Sequence, residues 1–214
     1  MSLPLKYDLN LSVDFISKEM HNRPGDNIDL GYITIHNTDN DNPGADAGAH
    51  SRFVRNKGFN VYKGRKVWVS WHFTVDDTEV IKQLPTNEVG YHAKTGNTKS
   101  IGIEQCMHKG INSDDADERL CQLVAQLRLK KGLGRESVVT HKHWTQKNCP
   151  SQLLSRWTEI QERIDEIIAT SPAVQIDLVD DIPKGGFEST EISSERRKIL
   201  EANEIMGGFD LKLP

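Results

Sequence analysis

Apolar and polar positions alternate through Leu30-Gly-Tyr-Ile-Thr-Ile-His36. That period of two predicts a strand with Ile33 and Ile35 on one face and Thr34 and His36 on the other. A longer alternating run covers residues 66–75, where Val67, Val69, Trp71, Phe73 and Val75 fall on one side. Trp68, Ser70, His72 and Thr74 fall on the other, and one continuous strand is expected. Ser100 to Cys106 repeats the pattern, with Ile101 and Ile103 opposite Gly102, Glu104 and Cys106. Val138-Val139-Thr140 reads as a brief strand that delivers His141 to a loop.

Between these runs the period lengthens to that of a helix. Asn42-Pro43 reads as an N-cap and first helical residue, with Ala45, Ala49 and Phe53 at helical spacing and Gly58 closing the segment. A helix is predicted over Asp114 to Lys131. Ser113 is its N-cap, acids fill its first turn, Leu120, Val124 and Leu127 form its stripe, and bases precede Gly132. A last one is predicted over Gln152 to Thr170 on Leu153, Trp157, Ile160, Ile164 and Ile168. Beyond Ser171-Pro172 periodicity stops. Residues 172–191 read as a linker, and the tail 192–214 holds one short helix over 192–206, too little for a domain of its own. Residues 1–171 are therefore expected to form one domain of the α/β class, a central mixed β-sheet flanked by helices.

Composition narrows the function. With 36% hydrophobic and 27% charged residues in 214, the chain can bury a real core. A net charge of −4 supplies no basic field for nucleic acid, and no apolar run approaches the ~20 residues of a membrane span. The start, Met1 to Tyr7, lacks the charged end and apolar core of a signal peptide, so the expectation is a protein made in the cytoplasm. Three cysteines cannot all pair, and no disulfide framework is expected.

Eight histidines and one well-placed cysteine, Cys149, are the candidates for metal chemistry. His141 and Cys149 stand eight residues apart across a polar loop, and His36 ends another strand on its polar face. His143, two residues beyond His141, is a rival ligand. Glu104 stands among apolar neighbours in a strand, either poised for proton transfer or paired at a sheet edge. His50 is expected to be structural, His21 and His108 to lie on the surface, and Cys106, Cys121 and Trp71 to be core. The loops 37–44 and 93–99 are polar enough to line a groove.

Five segments together resemble one family. They are Ile33-Thr-Ile-His-Asn-Thr38, Ser70-Trp-His-Phe-Thr-Val-Asp76, Gly90-Tyr-His-Ala93, Ser100-Ile-Gly-Ile-Glu104 and Thr140-His-Lys-His-Trp-Thr-Gln-Lys-Asn-Cys-Pro150. In this order, over about residues 28–165, they resemble the zinc-dependent N-acetylmuramoyl-L-alanine amidases of phage endolysins and Bacillus autolysins, relatives of the peptidoglycan-recognition proteins. The resemblance implies that family's fold, with Zn2+ held by His36, His141 and Cys149 and His141 chosen over His143. It implies Glu104 as general base and Lys147 as oxyanion partner. His92 is expected to contact substrate or to be a structural loop residue, and His72 to contact substrate or to support the site from behind the ligands. Trp71 stands where some members have a catalytic tyrosine, so that role does not carry over.

The implied reaction is zinc-assisted hydrolysis of the amide joining N-acetylmuramic acid to L-alanine in bacterial peptidoglycan. Two other readings are a peptidoglycan-binding module that does not cut and a structural zinc protein with a closed four-ligand site. Cys149, Glu104 and Lys147 speak against the first, and the three-ligand pattern against the second. Without a signal peptide, the enzyme is expected to reach the wall on lysis, as an endolysin does, or by another export route.

Overall fold

The computed structural model describes residues 9–170. The expected linker over 172–191 and the expected helix and tail over 192–214 lie outside the described residues. Eight strands and four α-helices are described: β1 (Leu11–Val13), β2 (Tyr32–Asn37), α1 (Ala47–Asn56), β3 (Phe59–Tyr62), β4 (Arg65–Trp68), β5 (Phe73–Val75), β6 (Val80–Lys82), β7 (Ser100–Gln105), α2 (Ser113–Lys131), β8 (Val138–Thr140), α3 (His141–Thr145) and α4 (Trp157–Thr170).

Six strands form one sheet in the order β1-β6-β5-β7-β2-β8, while β3 and β4 make a separate hairpin. Neighbours in the large sheet run parallel except β5 and β6, so the sheet is mixed, as expected. The central pair places Ile33 beside Ile101, Ile35 beside Ile103 and His36 beside Glu104. Alternation then does the sorting. The isoleucines enter a core completed by Phe73 and Val75, by Leu120, Leu123, Val124 and Leu127 of α2, and by Ile160, Ile164 and Ile167 of α4. All four isoleucines are fully buried, and truncating such a side chain to alanine typically costs about 2–5 kcal/mol. Thr34, His36, Gly102 and Glu104 consequently share the opposite face.

The run over residues 66–75 is not one strand. Its first part is β4, and the chain then changes partners. The Val69 amide donates to Gly58 O, Ser70 to Tyr91 O and His72 to Gly102 O. Its apolar residues divide as well. Val69 and Trp71 pack with Ile16, Phe53, Val54 and Leu84, whereas Phe73 and Val75 enter the main core. Alternation reports extended backbone and is silent about which edge that backbone pairs with. Trp71 is buried, as anticipated, and its indole N–H donates to Thr74 Oγ1.

The helix ends also differ. α1 begins after Asp46, whose side chain accepts from the Ala49 amide, rather than at Asn42-Pro43. The cap of α2 is Asn112 rather than Ser113, and Gly132 ends that helix in the left-handed conformation. α4 starts at Trp157, after a 3-10 turn over Leu154–Arg156. Strands β1, β3 and β6 are too short to leave a periodic trace. His141 opens a five-residue helix where a loop was expected.

Candidate metal centre

His36 lies near the end of β2, and Glu104 is its register neighbour on β7. Both side chains project from the polar face, yet they are 1% and 3% exposed. His141 arrives from β8 as the first residue of α3. Cys149 is folded back beside it. The Lys142 amide donates to Cys149 O at 3.0 Å and the Cys149 amide to Lys147 O at 2.8 Å. Asn37, next to the His36 position, clamps the far side of this return. Its Nδ2 donates to Ser151 Oγ at 3.0 Å and its Oδ1 accepts from the Ser151 amide at 2.9 Å.

Helix α3 is too short to stand alone. It is fixed by Trp144, whose indole N–H donates to Thr34 Oγ1 at 2.8 Å; Thr34 donates to Ser100 Oγ, and Ser100 to Gly96 O. The ring lies directly on Gly96, where a Cβ would fall 2.7 Å from it. Asn37, Trp144 and Gly96 were given no role by sequence reasoning. Asn37 follows His36 in a motif already recognised, but no periodicity pairs Trp144 with Gly96, 48 positions away.

The result is a buried cluster of mixed donors. His36 Nδ1 lies 3.0 Å from His141 Nδ1 and 4.0 Å from Cys149 Sγ. One donor atom from each of the three residues falls within 4.8 Å of the others. A tetrahedral zinc with nitrogens at ~2.0–2.1 Å and sulfur at ~2.3 Å sets donor separations of about 3.3–3.7 Å, so the set fits that ion. Two buried polar atoms here, His141 Nε2 and Glu104 Oε2, have no hydrogen-bond partner. Glu104 Oε1 is 3.9 Å from His36 Nδ1. The rival His143 is exposed and stacks on Tyr32 and Trp144 instead.

Electrostatics favours neutral histidines. Burial, then the charges of His141, His92 and Lys147, holds His36 well below the ordinary imidazole range. Burial, then Lys147 and Lys94, brings His141 down to about 3. Both rings therefore keep a lone pair at neutral pH, as a metal ligand must. The Cys149 thiol is pushed up to about 12 by burial and then by Glu104. Burial also raises Glu104 well above the carboxylate range, with Lys147 pulling the other way.

His92 is half-buried and His72 buried, and both rings bond within the protein. His92 Nδ1 is 3.0 Å from His36 Nε2, and its Nε2 is 3.1 Å from Ser100 O. His72 Nε2–H donates to Glu88 O, and its Nδ1 accepts from the Gly102 amide. The ring nitrogens of both are thus bonded within the protein, and the bare Gly102 Cα leaves room for the His92 ring against β7. Elsewhere, His50, Cys106 and Cys121 are buried as expected, and His21 is exposed; His108 is half-buried rather than on the surface.

Two imidazoles and one cysteine on an α/β sheet, with a carboxyl group beside them, make a possible three-donor metal site; an open site keeps three protein ligands and a closed structural one four. Residues 26–152 match the family described as N-acetylmuramoyl-L-alanine amidase, and the chain belongs to that family. It is 39% identical over 160 residues to the N-acetylmuramoyl-L-alanine amidase XlyA of Bacillus subtilis (strain 168), covering 73% of this chain and 51% of XlyA. To CwlH of the same organism it is 33% identical over 203 residues, 92% of this chain and 77% of CwlH. The solved catalytic domain of XlyA shares 40% identity, with a TM-score of 0.65 over 72% of this chain and 99% of that domain. A mutant endolysin from Bacillus subtilis gives 38% identity and a TM-score of 0.67 over 73% and 99%. The chain spans about half the length of XlyA but nearly all of its catalytic domain. The expected amidase-like fold is the fold found.

Proposed function

We propose that this protein is a zinc-dependent peptidoglycan amidase that hydrolyses the bond between N-acetylmuramic acid and L-alanine. The carrying observation is the buried donor set of His36, His141 and Cys149 with the unpartnered Glu104 carboxylate oxygen beside it. Zinc there would supply Lewis acidity, bringing the pKa of a water toward ~7 and polarising the scissile carbonyl. Glu104 takes the proton from the attacking water and returns it to the departing alanine amine. Burial raises its carboxyl well above the carboxylate range while Lys147 pulls the other way, so its affinity for a proton is greater than an exposed glutamate's. Lys147, whose charge acts on His36, His141 and Glu104, is the group that would offset the negative charge growing on the carbonyl oxygen, a contribution of a few kcal/mol in comparable sites. The substrate places the site of action at the cell wall. Among the described residues no helix is long and apolar enough to cross a membrane.

The test is mass analysis of cell walls digested by the purified protein. New L-alanine amino termini and intact glycan strands are expected, and chelation should abolish them; turnover that survives the chelator would refute the zinc reading. Glu104→Gln should retain zinc and lose about 10²–10⁴-fold in turnover. Unimpaired turnover in that variant would remove Glu104 as the proton carrier.

A further inference from the structure

We infer that His92 is a positioning residue that sets the tautomer of His36, leaving the Nδ1 lone pair of that ligand free for the metal. The inference rests on the zinc reading above and follows from counting hydrogens. Ser100 O can only accept, so His92 Nε2, 3.1 Å away, carries a hydrogen. A neutral imidazole has one N–H, which leaves His92 Nδ1 as an acceptor. The group facing that acceptor at 3.0 Å is His36 Nε2, so it must be the donor. His36 Nδ1 is then bare, and it is the atom 3.0 Å from His141 Nδ1 and 4.0 Å from Cys149 Sγ. Without the acceptor, His36 could carry its hydrogen on Nδ1, inside the donor cluster, and ligation would first require moving it.

The His92 ring is built into place. The Asn97 side-chain oxygen accepts from the His92 and Ala93 amides at 2.8 and 2.6 Å. A Cβ on Gly102 would lie 2.7 Å from ring atoms Cγ and Nδ1. The Gly102 amide donates to His72 Nδ1 at 2.9 Å, and the His72 ring stands edge-on to His92 with centroids 5.9 Å apart. A backbone carbonyl thus controls a metal ligand two hydrogen bonds away, the kind of outer contact whose loss typically costs 10–100-fold in metal affinity.

Two readouts test this without relying on activity. In the zinc-free protein, ring 15N shifts should report His36 hydrogenated at Nε2. Competition with a chromogenic chelator should give a zinc Kd weakened about 10–100-fold in His92→Phe, which keeps a ring but loses the acceptor. His92→Asn, whose Oδ1 falls near the old Nδ1 position, should stay within about threefold of the parent, and Gly102→Ala should resemble His92→Phe. A parent-like Kd in His92→Phe, or His36 hydrogenated at Nδ1 in the parent, would overturn the inference. Should His92→Phe fail to fold by circular dichroism, the parent's ring shifts and the Asn variant decide the matter. No zinc binding by the parent would instead defeat the metal reading itself.

Discussion

Cys149 carries a hydrogen that zinc must displace. Burial, reinforced by Glu104, holds its thiol at about 12, so the metal-free protein keeps it as S–H at neutral pH. A zinc ligand has to be the thiolate, whereas His36 and His141 are already neutral and surrender nothing. Zinc binding at pH 7 should therefore release at least one proton. Calorimetry in buffers of different ionisation enthalpy measures it, and Cys149→Ser should reduce the release by about one; unchanged release would show that the sulfur is not a ligand. Sequence marked His36, His141 and Cys149 as metal-ligand types. It gave no sign that His92 would lie between His36 and Ser100 O, because a hydrogen-bond partner such as a backbone carbonyl leaves no pattern in a side-chain alphabet.

At the level of elements, the start of α1 depends on a residue far along the chain. Both Asp76 carboxylate oxygens accept: Oδ2 from the Ala47 amide, and Oδ1 from the Thr78 and Glu79 amides and the Thr78 hydroxyl. Burial alone would raise this carboxyl, but the four donors outweigh it and hold it below its ordinary value. A depressed folded pKa means that the stabilisation is present above the unfolded value of about 3.9 and is lost as pH falls through the folded one. Asp76→Asn should cost about 1–3 kcal/mol at pH 7 by urea unfolding, and the deficit should shrink toward pH 3. A deficit independent of pH would assign the effect to packing. Helix α2 was legible nearly to the residue because acids, stripe, bases and Gly132 agree. The run over 66–75 was not, because the switch from hairpin to sheet depends on which backbone groups wait nearby, and those belong to Gly58, Tyr91 and Gly102.

For the molecule as a whole, four histidines lean the same way: His36, His50 and His141, which are buried, and His92, which is half-buried. Burial lowers His36, His50, His92 and His141. The unfolded chain binds more protons than the folded one below about pH 6.5, so metal-free stability should fall as pH drops through that value. Glu104, raised in the fold, acts in the opposite sense. Urea unfolding of chelated protein at pH 7.5 and 5.5 should show a loss of about 1 kcal/mol per histidine, less the Glu104 offset. Equal stability at the two values would mean that these rings titrate normally. Zinc should flatten the dependence by holding His36 and His141 unprotonated.

What the residues determined unaided was local and compositional. Period two placed Ile33, Ile35, Ile101 and Ile103 on a core face and His36 and Glu104 opposite them. Net charge supplied no basic field, no apolar run reached the length of a membrane span, and motif order pointed to the amidase family. Tertiary structure decided everything that depends on pairing. The parallel register of β2 and β7 makes His36 and Glu104 neighbours. Trp144 on Gly96 and Asn37 on Ser151 bring His141 and Cys149 to them. The fold also sets His92 Nδ1 3.0 Å from His36 Nε2. Those outcomes follow from hydrogen bonds and close contacts between residues up to 114 positions apart, and a period read along the chain carries no term for them.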